Sequence, residues 1–363
     1  MKIYKLLNRK KFIVLTKCLI SIFLLAYVIF IPTKIMPSLL KQQQLAGQDI
    51  KLSYNGVLEL WNVDTFEGGS VSRTSWLEKR CLEFEKQNKG CFIIVSNMTP
   101  SQAVNNINNG KMPNMISYGF GFGNKIESYI NEYTGQVNVR DDLLAGCYKN
   151  NKLLAVPYIL GGYVVASESE INNQLDCVGY GEKNPNNFAL ALALNNYKAL
   201  SVYDNNNMLN SFDAYDSFLN KKFVNLCGTQ RDAYRLNNKK NNGSLSNLNI
   251  NYLSKFTDLL QYISITNCSY QEKEISKKFI EFLTKKNTQE TLKNINMFSV
   301  IGQAIYNTQD GYLFEMEKNL VSKQKTLSAF LTEDEISLIH QKATDFVLNK
   351  TNNINEIKKY ILN

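Results

Sequence analysis

The stretch VLELWNVDTFEGGSVSRTSWL, residues 57–77, carries the pattern that decides the fold. Its first residues, VLELW, place four apolar residues between Gly56 and Asn62, a run that is too short for a helix and typical of a buried strand. From Trp76 onwards, apolar residues recur at helical spacing with charged residues between them. A strand followed by a helix that opens between residues 70 and 75 is therefore predicted.

A strand that feeds a helix is half of a βαβ unit, and open α/β sheets bind ligands where strand ends meet helix N-termini. The segment that joins the two elements contains an aromatic residue, two acids and a glycine pair, Gly68-Gly69. We therefore expect residues 61–69 to lie at the mouth of a cleft. Trp61 has an equally simple alternative role in the core of the sheet.

Residues 1–48 are expected to lie outside the globular fold. Six basic residues precede or interrupt an apolar run, Phe12 to Ile31, that ends at Pro32. This pattern is typical of an export signal long enough to span a bilayer, and the positive-inside rule places everything after Pro32 outside the cell. Because no small-x-small cleavage site follows closely, an uncleaved membrane anchor is favoured over a cleaved signal peptide. Lys17 directly before Cys18 does not fit a lipoprotein signal.

The net charge comes from this N-terminal segment. Residues 1–48 contain eight basic residues and no acid, which leaves 33 basic and 32 acidic residues in the rest of the chain. The exported part is therefore close to neutral, and its charge gives no indication of nucleic-acid binding.

Six cysteines follow the N-terminal segment, and their spacing shows neither a CxxC motif nor a Cys/His metal pattern. Their apolar flanks favour buried free thiols over a disulfide framework. A bridge between Cys81 and Cys91 is the one pairing that deserves a test. Export alone would permit it.

The pattern of strand and helix continues along the chain. Asn88-Lys89-Gly90 ends the first helix, CFIIV (residues 91–95) predicts a second buried strand, and Thr99-Pro100 opens another helix. Aromatic residues and glycines then alternate from Tyr118 to Gly123, either as a turn with its rings packed inward or as a strand end where rings stack on a ligand. LLAVPYILGGYVV, residues 153–165, predicts a buried strand pair broken by Pro157 and by Gly161-Gly162.

These segments, taken in order, resemble a known family. WNxxxxEGG, EFEKQNKG, NMTP, GKMPNMISYGFGFG and LLAVPYILGGYVV look like the extracellular solute-binding proteins of ABC importers, in family 1 or the maltose-binding-like group. VNLCGTQRDAYRL, residues 224–236, is similar to the family's strand, glycine turn and helix that bring a side chain into the cleft. Residues 256–300 resemble its strand and long helix. The resemblance extends from about residue 55 to residue 305.

The resemblance implies two α/β lobes of the class II periplasmic-binding-protein type that close on ligand by a hinge. Lobe I would comprise residues 49–165 and about 250–305, and lobe II would comprise residues 166–249 and about 306–363. The crossings would fall near Ala166-Ser167, within residues 237–249 and after Val300. The second lobe is shorter than usual for the family, which puts the completeness of its ligand cage in doubt.

The resemblance also implies a carbohydrate ligand. Sugars present apolar faces to aromatic rings and hydroxyls to carboxylates, amides and guanidinium groups. The predicted ligand contacts are Trp61, Asp64, Phe66, Glu67, Gly69, Arg73, Tyr118, Phe120, Tyr158, Gln230, Arg231 and Asp232.

Several of these residues have a structural alternative. Arg73 is equally expected as a solvated side chain at a helix N-terminus, and Arg231 with Asp232 as a local ion pair. Gln230 stands where the family often places a ring, so that an amide would replace stacking there.

The implied function is delivery of a sugar or oligosaccharide to the permease subunits of an ABC importer. The alternative is a membrane-anchored sensor or structural protein that uses the same fold without a transporter. We expect no catalysis, metal or cofactor, because the single histidine, His340, lies in an amphipathic helix predicted over residues 333–348.

Overall fold

The computed structural model describes residues 54–63, 72–183, 185–203, 209–320 and 323–362. The strands in these ranges are β1 (Gly56–Val63), β2 (Cys91–Met98), β3 (Met115–Gly119), β4 (Tyr148–Lys149), β5 (Lys152–Leu153), β6 (Val156–Leu160), β7 (Tyr163–Ser167), β8 (Gln174–Gly179), β9 (Lys198–Val202), β10 (Asn225–Thr229), β11 (Asn249–Leu253) and β12 (Leu260–Ile265). The α-helices are α1 (Arg73–Gln87), α2 (Pro100–Asn108), α3 (Gly123–Ile126), α4 (Asp141–Leu144), α5 (Phe188–Leu194), α6 (Ser211–Leu219), α7 (Gln230–Asn241), α8 (Tyr270–Leu283), α9 (Lys286–Gln289), α10 (Tyr312–Leu320), α11 (Glu333–Val347) and α12 (Asn355–Lys358).

Two five-stranded sheets organise the described chain. The first has the order β2-β1-β3-β12-β6 and the second has the order β11-β7-β10-β8-β9. In the first sheet β1 runs parallel to β2 and β3, while β12 is antiparallel to both of its neighbours. We call the parts built on these sheets the first and the second lobe.

Residues 56–63 and 73–87 form the predicted strand and helix. Ser72 caps α1 by accepting a hydrogen bond from the Ser75 backbone, and the helix ends before Gly90, whose φ of 94° favours glycine. The second predicted helix start is also confirmed, since Thr99 and Gln102 form a capping box with Pro100 in the first turn of α2. Local capping chemistry therefore fixes both helix starts.

The predicted strand pair of residues 153–165 differs from the structure in two ways. The break lies only at Gly161-Gly162, and the strands on either side, β6 and β7, belong to different sheets. Pro157 lies inside β6 without interrupting it. The proline is tolerated because β6 is the last strand of its sheet and the register shifts opposite it, between Gln261 and Tyr262.

The crossings also differ from the expected positions. Ala166-Ser167 lies within β7, and the chain has already entered the second sheet at Tyr163. Residues 237–249 contain no crossing, because α7 continues to Asn241 and β11 pairs with β7. The second crossing is therefore residues 254–259, and it is bonded to the first, since Gly161 N donates to Leu259 O over 2.7 Å.

The C-terminal part contacts both lobes, whereas the sequence analysis assigned residues 306–363 to the second lobe. Residues 323–331 return to the first lobe, where Ala329 N donates to Gly146 O over 2.8 Å. Gln324 N likewise donates to Asp142 Oδ2 over 2.8 Å. Helix α11 then packs on α5 of the second lobe.

The six cysteines after the N-terminal segment are free thiols, as predicted, and this includes Cys81 and Cys91; four of them are buried as expected, whereas Cys177 and Cys268 are half-buried. Burial raises the pKa of Cys91 to about 11. In the described ranges, no helix is both long and apolar enough to cross a membrane. The predicted anchor, residues 12–31, lies outside those ranges, so the anchor stays a prediction.

Candidate functional site

The carboxyl-terminal edges of the two sheets meet at the crossing from β6 to β7. Strands β6 and β3 are both antiparallel to β12, so their last residues, Leu160 and Gly119, lie at the same edge of the first sheet. Tyr163, at the start of β7, pairs with Thr229 at the end of β10, which runs parallel to β8. Ligands of α/β folds bind at such strand ends and between lobes. This cleft is the candidate site.

The two lobes touch across the cleft. Gly121, just after β3, packs against Pro185 after β8, and a Cβ atom on Gly121 would lie 2.5 Å from Pro185 Cβ. Lys125 Nζ lies 2.9 Å from Glu333 Oε1 at the start of α11. The two lobes are therefore in direct contact at this rim.

A buried hydrogen-bond network lies at the cleft edge of the first sheet. Arg73 Nη1 donates to Gln261 Oε1 over 2.6 Å, and Gln261 Nε2 donates to Ser117 Oγ over 2.8 Å. Ser117 donates its hydroxyl hydrogen to Asn62 Oδ1 over 3.1 Å. In the contact between Tyr158 OH and Ser117 Oγ, at 2.7 Å, the tyrosine is therefore the donor. Two predicted ligand residues, Arg73 and Tyr158, are thus linked through Gln261 and Ser117, which the sequence analysis missed. Their polarity inside apolar strands was the available signal.

The four predicted aromatic contacts in the described chain pack in hydrophobic cores. Trp61 is 2% exposed, Tyr118 0%, and Phe120 and Tyr158 1% each. Trp61 and Tyr118 share one cluster, while Phe120 and Tyr158 belong to another. For Trp61 this is the core position recognised as its alternative role. Stacking of these rings on a ligand stays a prediction.

Gln230 connects the second lobe to the crossings. Its Oε1 accepts a hydrogen bond from Gly162 N at 2.9 Å, and its backbone N donates to Gly162 O over 3.0 Å. Its Nε2 lies 3.0 Å from Met297 Sδ. The side chain is fully buried. In this arrangement Gln230 positions the hinge backbone.

Arg231 and Asp232 have different roles at the start of α7. Asp232 Oδ2 accepts a hydrogen bond from Thr229 N at 2.9 Å and completes a capping box. Burial raises the pKa of this carboxyl group, against the opposing effects of the Thr229 N–H and the nearby guanidinium groups. Arg231 places its guanidinium carbon 4.8 Å from the ring centroid of Phe212. Asp64, Phe66, Glu67 and Gly69 lie outside the described residues.

Asp258, in the second crossing, centres a polar cluster that the sequence analysis did not identify. It is 1% exposed, and its carboxylate accepts hydrogen bonds from Tyr163 OH and from Asn187 N at 2.8 Å. Asn186 Nδ2 donates to the carboxylate over 3.3 Å. Burial raises the pKa of Asp258, against the effect of these donors. Both crossings and the start of α5 are joined here.

Among the described side chains, no group of three or more His, Cys, Asp or Glu could hold a metal ion. His340 lies in α11, with its ring 5.8 Å from that of Tyr180, and burial lowers its pKa. Its surroundings are those of a packing residue.

No protein-family model and no curated protein matches the sequence. Solved structures do match. Maltose-bound MalE3 of T. maritima is 11% identical, with a TM-score of 0.58 over 82% of this chain and 96% of that chain. The sugar-binding protein MalE of Xanthomonas citri is 10% identical, with a TM-score of 0.58 over 82% and 93%.

A polyamine-binding protein has the same fold. The spermidine/putrescine ABC transporter substrate-binding protein PotD of Streptococcus pneumoniae is 9% identical, with a TM-score of 0.54 over 80% of this chain and 97% of that chain. The chain therefore has the two-lobed α/β fold of solute-binding proteins, and the resemblance found in its motifs is confirmed at the level of fold.

Proposed function

We propose that this protein is an extracellular solute-binding protein that closes its cleft on a carbohydrate and delivers it to an ABC importer. The observation that carries the proposal is the cleft itself. The carboxyl-terminal strand ends of the two sheets face each other across it, and the lobes are joined by short crossings that are compatible with a hinge. Such proteins bind and release their ligand without transforming it.

Carbohydrate is the ligand class named for most of the similar structures above, although one of them is named for polyamines. The amides of Gln230 and Gln261 are buried and hydrogen-bonded within the protein, and the half-exposed side chains at the starts of the helices that follow β1 and β10 are the guanidinium groups of Arg73 and Arg231. Groups of this kind recognise hydroxyls. We further propose that residues 12–31 anchor the protein to the membrane near its permease, because their charge and length fit a bilayer span.

The test is thermal unfolding of the purified full-length protein against maltodextrins, xylo-oligosaccharides, polyamines, amino acids and peptides. A ligand that binds only the folded state, at a hundredfold excess over Kd, stabilises it by about 2.7 kcal/mol. We expect a Tm increase of several degrees with carbohydrates alone. If no compound raises the Tm, the solute-binding proposal is refuted and a sensor or structural role takes its place.

A pair of glycine variants tests whether binding depends on lobe closure. Gly121→Ala would push a Cβ atom against Pro185, whereas Gly110→Ala meets no atom within 4 Å. Both glycines have positive φ, 87° and 72°, so both substitutions cost a similar backbone strain. We expect weaker ligand binding for Gly121→Ala only. Equal affinities would exclude closure at this rim.

A further inference from the structure

A cavity of about 310 Å³ lies in the second lobe, away from the cleft. Its lining comes from the end of β7, the end of α6 and the residues just before β10, and it includes Ser167. Strand β7 begins beside the crossing at Tyr163, so Ser167 lies about 13 Å further along the strand, at ~3.3 Å per residue. The cavity is therefore separate from the candidate site.

The size and the walls of the cavity limit what it can hold. Small-molecule sites range from about 300 to 1,000 Å³, so this cavity lies at the lower end of that range. A single amino acid fits such a volume, whereas the larger oligosaccharides do not. One side, which we call the apolar wall, consists of Phe218, Phe223 and Val224. Val224 is 41% exposed, so an apolar group on a ligand would remove apolar surface from water.

Two opposite charges line the same cavity without a hydrogen bond between them. Lys221 Nζ lies 3.7 Å from Glu168 Oε2, which is beyond hydrogen-bond distance. Neither side chain makes a closer polar contact with a residue in the part of the chain that the structure describes. A molecule that carries an ammonium group next to a carboxylate group could bond both, because each charge would meet its opposite over about 2.8 Å.

The backbone of Lys221 is held in an unusual conformation at the end of α6. Lys221 N donates to Phe218 O over 2.9 Å, and Lys222 N donates to Ser217 O over 3.0 Å. These two bonds form a Schellman motif, in which the residue after the C-cap adopts the left-handed conformation. Lys221 is that residue, with a φ of 56°. Helices usually place glycine or asparagine there, because other side chains are strained in this conformation.

The choice of lysine at this position is an exception within the chain. Six residues other than glycine have a positive φ in the described ranges, and five of them are asparagine. Lys221 is the sixth. A lysine favours the negative end of a helix, but Lys222 already places an ammonium group there without the strain. Strained residues of this kind occur where the side chain is needed for binding. The strain at Lys221 therefore points to a use for its ammonium group in the cavity.

We propose that this cavity is a second binding site, which takes the zwitterion of an apolar amino acid. The ammonium group of the ligand binds Glu168, its carboxylate group binds Lys221, and its side chain packs on the apolar wall. Because the Lys221 side chain is 77% exposed, we expect a Kd of about 1 mM, so that an amino acid near that concentration raises the Tm far less than a saturating ligand does.

The first experiment compares leucine with three analogues that each lack one group. Binding to the full-length protein is measured by saturation-transfer NMR, which suits weak ligands. N-acetylleucine lacks the ammonium group, leucinamide lacks the carboxylate group, and glycine lacks the apolar side chain. We expect leucine to bind at least fivefold more tightly than each of the three. This preference should weaken as salt is added, because salt screens exposed charges.

Charge-removing variants then locate the site. Glu168→Gln and Lys221→Asn should each weaken leucine binding at least fivefold. Glu170→Gln and Lys222→Asn are the matched controls, because these residues are exposed neighbours that do not line the cavity, and both should bind leucine as the wild type does. Lys221→Asn should also raise the Tm, since asparagine adopts the left-handed conformation with less strain. A loss of binding together with a higher Tm excludes unfolding as its cause.

Three results would overturn the second site. The first is equal binding of leucine, N-acetylleucine and leucinamide. The second is a loss of affinity in Lys222→Asn equal to that in Lys221→Asn. The third is the absence of leucine binding at concentrations well above the expected Kd. None of these results bears on the carbohydrate proposed for the cleft, because the two sites share no residue.

Discussion

Replacing Asp258 by alanine should destabilise the protein more than an ordinary aspartate substitution. The carboxylate is buried between the two crossings and accepts from Tyr163 OH, from the Asn187 backbone at 2.8 Å and from Asn186 Nδ2 at 3.3 Å. A buried donor that loses its partner costs about 1–3 kcal/mol. Leaving the two strongest donors without a partner therefore costs about 2–6 kcal/mol of stability. Because the buried carboxylate is no longer desolvated in the variant, the net loss falls to about 2–4 kcal/mol.

The pH dependence of stability tests the same geometry. Burial raises the folded-state pKa of Asp258 above its ordinary value of 3.8. Between these two pKa values the folded protein binds a proton at Asp258 that the unfolded chain does not bind. Protonation of Asp258 therefore contributes to the free energy of unfolding, and this contribution is fully present below pH 3.8 and is lost as pH rises through the folded-state pKa. Asp258→Asn cannot titrate. The wild type should therefore gain stability relative to Asp258→Asn as pH falls from 7 towards 4.

Urea unfolding followed by circular dichroism measures both effects, with the m-value as a check on two-state behaviour. Asp216→Ala is the matched control because Asp216 is an exposed aspartate on α6, and it should change stability by less than about 0.5 kcal/mol. If Asp258→Ala were as mild as Asp216→Ala, or if the pH trend ran the other way, Asp258 would not have the environment described here.

Three further predictions concern packing and burial in the two lobes. Gln289→Ala removes a buried amide with four hydrogen bonds and should cost about 2–4 kcal/mol in urea unfolding. Gly146→Ala places a Cβ atom 2.2 Å from Leu327 O, so it should cost about 1–3 kcal/mol and increase proteolysis of residues 323–331. Among the six cysteines that the structure describes, a thiol reagent should modify the half-buried Cys177 and Cys268 before the four buried thiols, and Cys268 should react faster as pH rises towards its pKa of about 11; mass spectrometry of the native protein identifies the order.

Local chemistry made much of the fold predictable from the sequence. Capping residues, a proline in the first turn and a glycine at a helix end each act within a few positions. Thr99 and Gly90 fix element boundaries as expected, and Ser72 caps the helix that was predicted to open between residues 70 and 75. The ordered set of short motifs was sufficient for the fold class, even though the similar structures share only 9–11% identity.

The crossings were less predictable because strand pairing decides them. The polar stretch before residue 249 has the composition of a linker, yet it lies within the second lobe, since the strand after it pairs with β7. No local feature distinguishes a polar loop inside a lobe from a polar loop between lobes. Similarly, Asp258 gains its role from Tyr163, 95 positions away in the sequence.

The candidate ligand contacts differ in exposure, and this difference determines which side chains a ligand can reach without moving a core residue. Tyr158 is 1% exposed, and freeing a buried aromatic side chain costs about 1.5–3 kcal/mol before any stacking is gained. Arg73 and Arg231 are half-exposed and need no such unpacking. Recognition at this cleft should therefore depend more on hydrogen bonding to polar side chains than on ring stacking. Ligand affinity should then be more sensitive to Arg73→Gln than to Tyr158→Phe, which keeps the ring and removes the hydroxyl that bonds Ser117.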